Sequence, residues 1–264
     1  MSDPIRFGVL GAAWIAKTAL IPAMHASRNS VPVAIAGSDP HRAATMAKEQ
    51  GIARVHPSYE ALLDDPEVDA VYIALHNSVH RTWVQRALDA GKHVLCEKPL
   101  GLNAAEVEAM QAATARSGCT LMEAFMYRFH PRMQELREAT GPALHLRAEF
   151  GFTLAATPNY RWRPELGGGA LLDVGCYTLD VLRWFAGEPE SVHATMHVSG
   201  VDRSVAAVLR LPGNAIATAW ASFESPEQQS FSVSDGVTRR EVQQPFTAWR
   251  DPYDPYQLMV EAFA

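Results

Sequence analysis

The tripeptide Glu97-Lys98-Pro99 combines a carboxylate, an ammonium group and a proline at a position where ligands often bind. It follows the short apolar run His93–Cys96, which the pattern predicts to be a buried strand that the proline ends. In open α/β sheets, ligands bind beyond the carboxyl ends of the strands. The Lys98 ammonium could therefore polarise a carbonyl group or hold an anion there. A solvated loop end is the alternative, and the tripeptide alone does not decide between the two.

A second set of polar side chains lies in an otherwise apolar helix. The helix predicted from Gly169 carries Asp173 and Tyr177 four residues apart, with Asp180 a further turn along, so that these side chains share one face. A Tyr-Asp pair opposite a lysine is an acid/base set, because the cation favours phenolate and eases proton transfer. The alternative is that Tyr177 packs in the core with its hydroxyl bonded to Asp173.

The first predicted strand leads into a turn that is typical of dinucleotide binding. Ile5–Leu10 is followed directly by Gly11, and a G-x-G-x-x-G fingerprint would have its other glycines where Ala13 and Ala16 stand. Alanine is the smallest substitute for glycine, so backbone amides at the helix start can still approach a pyrophosphate.

The second predicted strand, residues 32–37, ends beside side chains that could select the cofactor. Ser38, Asp39 and Arg42 follow it. At this place an acidic group binds the ribose hydroxyl of NAD, or an arginine binds the additional phosphate of NADP. A cofactor turn together with side chains that could select between NAD and NADP predicts a dinucleotide-binding domain.

Strand and helix patterns alternate through the first half of the chain. Asn77 and His80 follow the apolar strand at residues 70–75 and share its carboxyl edge, although a turn-forming Asn77 and a surface His80 remain the alternative. The alternation predicts an α/β fold with an N-terminal Rossmann doubly wound parallel sheet. After Met122 the pattern changes to a C-terminal α+β domain with a largely antiparallel open sheet. We therefore place domains at residues 1–122 and 123–264.

The composition is that of an ordinary soluble protein. Of 264 residues, 48% are apolar and 20% are charged, with a formal net charge of −6, which gives no basic surface for nucleic acid or anionic membranes. Apolar runs are shorter than the ~20 residues of a membrane helix, and the strand at Ile5–Leu10 leaves no room for a secretion signal. Three cysteines without ligand-like spacing predict reduced, buried thiols. We expect a cytoplasmic protein without a metal.

Five motifs together resemble the glucose-fructose oxidoreductase, inositol dehydrogenase and MocA (Gfo/Idh/MocA) family of NAD(P)-dependent oxidoreductases. They are GVLGAAWIA, SYEALLDDPEVDAVYIALHNSVH, AGKHVLCEKPL, LMEAFMYRFHP and GGGALLDVGCY. The resemblance covers nearly the whole chain. It is greatest to the branch with dimeric dihydrodiol dehydrogenases, NADP-dependent D-xylose dehydrogenases and glucose-fructose oxidoreductase, since inositol dehydrogenases usually carry histidine where Tyr177 stands.

The resemblance implies an enzyme that passes hydride between a nicotinamide and a carbon of a sugar or diol. Lys98 would be the catalytic lysine, Tyr177 the proton donor and acceptor, and Asp173 its partner at the substrate. The implied cofactor-binding residues are Gly11, Ala12, Ala13, Trp14, Ile15, Ser38, Arg42, Leu75, Asn77, His80, Glu97, Lys98 and Pro99. The substrate-binding residues would be Arg128, His130, Tyr160 and Trp162 together with Asp173 and Tyr177, with Arg128 and His130 reaching the cleft from the second domain.

Two positions depart from the pattern of this family. NADP-preferring relatives often have arginine where Ser38 stands and NAD users commonly have aspartate, but this chain has Arg42 nearby. We predict NADP as the preferred cofactor and NAD as the alternative, with Ser38 and Arg42 beside the 2'-phosphate. His76 stands where the family usually has proline before Asn77.

Other functions on the same fold remain open. A dinucleotide-sensing regulator needs the cofactor turn but no acid/base set, and an NAD-dependent glycosidase is a third possibility. The presence of Lys98, Asp173 and Tyr177 favours an oxidoreductase.

The strands predicted at residues 146–152, 205–211 and 215–223 have a second face without covering helices. A broad exposed sheet face usually marks an interface, and members of the resembled family pair through this sheet. We therefore expect a homodimer or a dimer of dimers.

Overall fold

The computed structural model describes residues 3–247 and 250–264, which form two compact units. The first unit contains residues 3–129 and 250–264, and the second contains His130–Thr247. The division at residue 122 stays a prediction about the domains. The predicted second domain also contains Ala248 and Trp249, which lie outside the described residues.

The first unit is built on a six-stranded parallel sheet in the order β3-β2-β1-β4-β5-β6. Its strands are β1 (Ile5–Leu10), β2 (Ser30–Ala36), β3 (Arg54–His56), β4 (Ala70–Ile73), β5 (His93–Cys96) and β6 (Leu121–Glu123). All four residues of β4 are buried, as expected of a strand covered by helices on both faces. The predicted Rossmann doubly wound sheet is confirmed, and its strand order reverses between β1 and β4, where such sheets bind ligands.

Helices follow the strands at positions that local sequence signals explain. Residues 14–26 are helical, with a π turn at Ala16–Leu20 before α1 (Ile21–Ala26). The next helices are α2 (Pro40–Gln50), α3 (Tyr59–Leu63), α4 (His80–Asp89) and α5 (Ala104–Ser117). The Asn103 side chain accepts the Glu106 N–H at 3.0 Å, and Gly118 ends the helix in the left-handed conformation. Asparagine at the start and glycine at the end are residue types that commonly cap helices.

The second unit contains a six-stranded sheet in the order β12-β11-β7-β10-β9-β8, in which only β7 and β10 are parallel. Its elements are α6 (Pro131–Glu138), β7 (His145–Thr153), α7 (Cys176–Ala186), β8 (Ser191–Ser199), β9 (Val201–Leu211), β10 (Ala215–Ser222), β11 (Glu224–Ser234) and β12 (Arg239–Gln243). The predicted largely antiparallel sheet is confirmed. Buried and exposed residues alternate along β9 and β10, because α7 packs against only one face of the sheet.

The last helix, α8 (Pro255–Phe263), packs with the first unit. The Phe263 ring lies 5.5 Å from the Phe7 ring, and the Asn29 side chain donates to the Glu261 carbonyl at 2.9 Å. The contacts therefore group α8 with the parallel sheet and not with the residues that precede it in the chain. Among residues 3–247 and 250–264, no helix is both long and apolar enough to cross a membrane.

The three cysteines are free thiols in different surroundings. Cys96 is buried, and burial raises the pKa of its thiol well above the ordinary value. Cys119 and Cys176 are only partly buried. The prediction of three buried thiols is therefore correct for Cys96 alone.

Candidate active site

The turn after β1 brings the backbone against the loop that follows β4. Gly11 has a φ of +105°, and a Cβ there would collide with the carbonyl oxygen of Ala74, so only glycine fits. The Gly11 N–H donates to the Ala36 carbonyl at 2.8 Å, and the Ala74 N–H donates to the Leu10 carbonyl at 2.9 Å. These hydrogen bonds fix the turn to the strands on both sides of the switch point.

Small residues surround the start of the following helix. Ala12 is buried, Ala13 is partly buried, and Ile15 follows the exposed Trp14 at the beginning of the helical segment. The first amides of a helix have no acceptor within it and carry the positive end of its dipole. An anion can approach these amides because no large side chain stands at positions 11–13. Residues 11–15 therefore leave room for the pyrophosphate that they are predicted to bind.

The predicted selector residues lie at the carboxyl end of β2. Ser38 and Arg42 are both exposed. The carboxylate of Asp39 accepts two amide N–H groups of α2, at 2.9 and 3.1 Å, so it serves as the helix cap. A Cβ at Gly37 would lie 3.6 Å from the Cβ of Ala12, which brings the selector strand and the β1 turn together. The structure therefore places the end of β2, from which Ser38 and Arg42 follow, beside the predicted cofactor turn.

His80 is buried and connects two loops at the carboxyl edge of the sheet. Its Nδ1 lies 2.8 Å from the Pro99 carbonyl oxygen, and its Nε2 lies 3.1 Å from that of Leu75. Burial lowers the pKa of His80, against the effect of these two hydrogen bonds. The alternative of a surface histidine is wrong, because its side chain is 0% exposed. Because each ring nitrogen lies within hydrogen-bond distance of a carbonyl oxygen from a different loop, His80 connects the two loops.

Asn77 is also buried, at the start of a short 3₁₀ turn, Asn77–Val79. His76, the departure from the family pattern, lies just before this turn. Its Nδ1 is 3.0 Å from the Ser78 hydroxyl. The histidine thus makes a local contact within the turn that a proline could not make.

The segment Glu97–Pro99 follows β5, and hydrogen bonds of Glu97 hold it to the sheet. The Glu97 N–H donates to the Ile73 carbonyl at 3.0 Å, and its carboxylate accepts the Tyr72 hydroxyl at 2.6 Å. Burial and the neighbouring Glu97 raise the pKa of Tyr72 well above the ordinary value, so the phenol remains a donor. The Lys98–Pro99 peptide is cis, and Lys98 is partly buried. The segment is therefore anchored to the sheet and is not a freely solvated loop end.

In the second unit, Asp173 pairs with Arg161, which is not among the site residues predicted from the sequence. The Arg161 Nε donates to the Asp173 Oδ2 at 2.6 Å, and the two side chains are 29% and 5% exposed. The guanidinium carbon lies 4.8 Å from the centroid of the Tyr160 ring. Burial opposes the charge of Arg161, but Asp173, Tyr160 and Tyr177 outweigh it and raise the pKa of Arg161. The carboxylate thus has a permanent cation beside it.

The glycines at 167–169 explain how Arg161 reaches this position. The Gly168 N–H donates to the Arg163 carbonyl and the Gly169 N–H to the Arg161 carbonyl, both at 3.0 Å. A Cβ at Gly168 would lie 2.5 Å from the Arg161 carbonyl oxygen, and one at Gly169, whose φ is +110°, would collide with Asp202. The GGG motif is therefore the signal that could have indicated a loop packed closely on the start of this helix.

The sequence predicts a regular helix through Asp173 and Tyr177, but the structure shows an irregular one. A π turn at Leu171–Gly175 precedes α7, and a π turn includes one more residue than an α turn. The four-residue spacing therefore does not by itself place Asp173 and Tyr177 on one face. The Asp202 carboxylate accepts the Leu171 N–H at 2.6 Å, which fixes the start of the helix. Burial raises the pKa of Asp202.

Tyr177 has a packed ring. Its centroid lies 5.7 Å from that of Phe150 and 5.4 Å from that of Phe246, and these two phenylalanines stack on each other at 5.6 Å. The ring is 8% exposed. The core-packing interpretation is therefore correct for the ring, and such packing also holds the hydroxyl in one place.

Arg128 and His130, both predicted to bind substrate from the second domain, fall into different units. Arg128 belongs to the first unit, and its guanidinium carbon lies 5.9 Å from the Phe125 ring centroid. His130 begins the second unit and is buried, with its Nδ1 accepting the Arg132 N–H at 3.1 Å as the cap of α6. The role of both residues in substrate binding stays a prediction.

Trp162 belongs to an aromatic cluster of the second unit. Its ring lies edge-on to Phe223 at 5.5 Å, and its Nε1 donates to the Ala155 carbonyl at 2.9 Å. The Arg203 guanidinium covers the ring at 5.1 Å. These contacts support the loop that carries Arg161, while the role of Trp162 in substrate binding stays a prediction.

The sheet and the turn after β1 define a Rossmann-type fold, and comparison with known proteins gives its family. Residues 5–125 match the oxidoreductase family with an NAD-binding Rossmann fold, and residues 134–235 match the GFO/IDH/MocA C-terminal domain. The chain belongs to the Gfo/Idh/MocA family of NAD(P)-dependent oxidoreductases. The resemblance found in its motifs is thereby confirmed.

Three similar proteins represent this family. D-xylose 1-dehydrogenase (NADP(+)) 2 of Haloferax volcanii is 40% identical, over 98% of this chain and 88% of the relative. Trans-1,2-dihydrobenzene-1,2-diol dehydrogenase of Xenopus tropicalis is 38% identical, over 82% and 68%. The structure of KijD10, a 3-ketoreductase from Actinomadura kijaniata in complex with NADP and TDP-benzene, superposes with a TM-score of 0.91 at 28% identity, over 99% and 89%. The family thus includes NAD(P)-dependent sugar and diol oxidoreductases.

Proposed function

We propose that this protein transfers hydride between NADP and a hydroxyl or carbonyl carbon of a sugar or related diol, with Tyr177 as the acid/base group and Lys98 and Asp173 assisting it. The observation that carries the proposal is the buried Asp173, paired with Arg161 at 2.6 Å, four residues before Tyr177 in the same helical segment. Core packing alone does not require a buried ion pair, and such groups concentrate at functional sites.

The residues around the β1 turn would hold the cofactor. Residues 11–15 would bind its pyrophosphate and Ser38 with Arg42 the 2'-phosphate, while Leu75, Asn77, Glu97, Lys98 and Pro99 would line the ribose and nicotinamide. His80 would act by holding the loops on which these residues lie. When bound, the cofactor supplies the hydride chemistry at its nicotinamide.

The protein side chains would transfer the proton and stabilise the charge that develops on the reacting oxygen. In the oxidative direction, Tyr177 takes the hydroxyl proton of the substrate as its carbon loses hydride, and it returns that proton in the reductive direction. The Lys98 ammonium favours the ionised phenol and stabilises negative charge on the reacting oxygen. Asp173 orients the substrate by accepting a hydrogen bond from a hydroxyl group.

A substrate panel tests this function against the alternatives. Aldoses and vicinal diols would be incubated with NADP⁺ or NAD⁺ while the nicotinamide absorbance is recorded, and we expect reduced cofactor to form in proportion to one class of substrate. Cofactor binding without turnover of any substrate would indicate a dinucleotide-sensing regulator. Release of a sugar from a glycoside without net reduction would indicate a glycosidase.

The NADP preference depends on Arg42. Arg42→Ala should raise the Kd for NADP⁺ by about 10-fold or more, because a hydrogen bond to a charged phosphate contributes about 1.5–3 kcal/mol. The Kd for NAD⁺ should change little. Both values would be obtained from quenching of protein fluorescence. Arg81→Ala is the control, since Arg81 is another exposed arginine at the start of a helix of the same unit. An unchanged ratio of the two affinities in Arg42→Ala would make the assignment of this residue wrong.

A homodimer through the second sheet is the assembly we propose. The face opposite α7 exposes Val208 and Ile216, at 48% and 50%. A shallow cavity of about 740 Å³ lies between Arg147, Ala206, Thr218 and Trp220 on this face. Light scattering at micromolar concentration should give about twice the chain mass of 28.9 kDa.

Val208→Lys should shift this assembly toward the monomer, because it would place a charge on an apolar interface. Val237→Lys is the matched control, since Val237 is 96% exposed in the turn between β11 and β12. A monomeric wild-type protein would exclude the proposed assembly.

A further inference from the structure

Arg161 has two terminal amino groups in addition to the Nε that Asp173 accepts. Within the described part of the chain, neither Nη group makes a hydrogen bond to a protein atom. The side chain is 29% exposed, so a ligand can reach these donors. The guanidinium carbon lies 4.8 Å from the centroid of the Tyr160 ring, so an aromatic side chain packs against the group.

The backbone holds Arg161 and Asp173 in a fixed relation. The Gly169 N–H donates to the Arg161 carbonyl at 3.0 Å, and the Asp173 N–H donates to the Gly169 carbonyl at 3.2 Å. The Asn159 side chain accepts the Arg161 N–H at 3.1 Å. A pair held by both its side chains and its backbone loses little freedom when a ligand binds, which favours selective recognition.

We propose that Arg161 determines substrate specificity by binding, together with Asp173, two adjacent hydroxyl groups of a neutral polyol. One hydroxyl oxygen accepts from an Nη group of Arg161, and the neighbouring hydroxyl donates to the Asp173 carboxylate. The planar guanidinium offers donors in a fixed fork, and a carboxylate can accept several hydrogen bonds. This inference rests on the proposed function, whose substrate class it narrows.

At the position of these two hydroxyl groups, the charges of the pair favour a neutral group over an anionic one. Asp173 balances the charge of Arg161, so the pair is neutral as a whole. A phosphate or carboxylate on the substrate would bind Arg161 only at the cost of lying beside the Asp173 carboxylate, and like charges in a partly buried site repel each other strongly. A vicinal diol meets one donor and one acceptor without this repulsion.

The test compares substrates that differ by a single group. The aldose or diol most active with the wild-type enzyme would be measured beside its analogue lacking the hydroxyl next to the reacting carbon, and beside the ester that carries a phosphate on that same hydroxyl. The variant is Arg161→Lys, which keeps a positive charge beside Asp173 but lacks the planar set of N–H donors of the guanidinium. Arg163→Lys is the matched control, because Arg163 lies in the same loop, 59% exposed, with its Nε 2.7 Å from Glu165.

We expect the wild-type enzyme to prefer the diol over the deoxy analogue by about 10- to 100-fold in kcat/KM, since one unsatisfied hydrogen-bonding group in a site costs about that much. In Arg161→Lys, kcat/KM should fall about 10- to 100-fold for the diol and only a few-fold for the deoxy analogue. The preference for the diol should therefore be largely lost. Arg163→Lys should retain it. Cofactor affinity, followed by fluorescence titration, should be the same in all three proteins.

Three results would overturn the inference. In the first, Arg161→Lys keeps the wild-type preference for the diol over the deoxy analogue, and in the second its kcat/KM falls equally on both substrates. Either result would show that Arg161 does not bind the hydroxyl next to the reacting carbon. A wild-type preference for the phosphate ester would contradict the neutral substrate class. In each case the proposed function would stand, because the wild-type enzyme still turns over a sugar or diol. If it turned over none of the panel, the proposed function would fail and this inference with it.

Discussion

Tyr177→Phe should lower kcat by about 10²- to 10⁴-fold, the usual contribution of a positioned acid/base group. This corresponds to ~3–5 kcal/mol of barrier. Phenylalanine keeps the ring and its contacts with Phe150 and Phe246 and removes only the group that carries the proton. Affinity for NADP should be nearly unchanged, because the variant lies in the second unit and the predicted cofactor residues lie in the first.

The control for this variant is Tyr59→Phe. Tyr59 packs edge-on against Trp83, at 4.8 Å between ring centroids, so the control loses a hydroxyl from an aromatic contact that is not part of the proposed site. It should retain wild-type turnover. If Tyr177→Phe also retained it, with chemistry shown to be rate-limiting, Tyr177 would serve only in core packing and another group would move the proton.

Lys98→Met should lower kcat by a similar factor, ~10²- to 10⁴-fold, because the reacting oxygen loses the cation that stabilises its charge. Methionine preserves the unbranched apolar stem of the side chain and is one atom shorter. The variant should also raise KM, since the ammonium is proposed to contact the substrate oxygen. Steady-state kinetics on the best substrate, together with a fluorescence titration of NADP, separates these effects.

Lys92→Met is the contrasting variant for Lys98. The Lys92 ammonium donates to the Asp65 and Val68 carbonyls at 2.9 and 2.8 Å in a buried position away from the proposed site. Its loss should reduce the free energy of unfolding by about 1–3 kcal/mol, the cost of unsatisfied buried groups, with kcat unchanged. The assignment of Lys98 fails if Lys98→Met behaves like Lys92→Met, with a loss of stability and normal turnover.

The sequence predicts most of the fold because its signals are local. Apolar runs such as Ala70–Ile73 need only their own composition to be recognised as buried strands. The caps Asn103 and Gly118 mark the ends of α5 within a few residues. The order of strands and helices then fixes a parallel sheet, since parallel strands require helical crossovers. The carboxyl-edge location of Gly11 and Lys98 follows from that topology.

Features that depend on distant contacts could not be predicted in this way. Arg161 becomes a site residue only because the loop folds back over Gly168 and Gly169, and nothing in its own sequence neighbourhood specifies Asp173 as its partner. The burial of His80 depends on the Pro99 and Leu75 carbonyls, which two different loops supply. In both cases the residue type was visible in the sequence, but its acceptor was determined by tertiary structure.

The π turn at Leu171–Gly175 and the packing of α8 have the same origin. The sequence pattern of the helix is compatible with regular α-helix, and the carboxylate of Asp202, thirty-one residues from Leu171, fixes its start. The apolar face of α8 shows that the helix must pack against something. It does not show that Phe7 and Asn29 of the first unit are what it packs against.

A single-turnover measurement of hydride transfer tests the central claim most directly. Enzyme, NADP⁺ and the active sugar or diol, with hydrogen or deuterium on the reacting carbon, would be mixed rapidly while the nicotinamide absorbance is recorded. The proposed function predicts formation of reduced cofactor with a primary isotope effect in the wild-type enzyme, and a rate about 10²- to 10⁴-fold lower in Tyr177→Phe with the isotope effect retained. Equal single-turnover rates in the two proteins would contradict a role for Tyr177 in the chemical step.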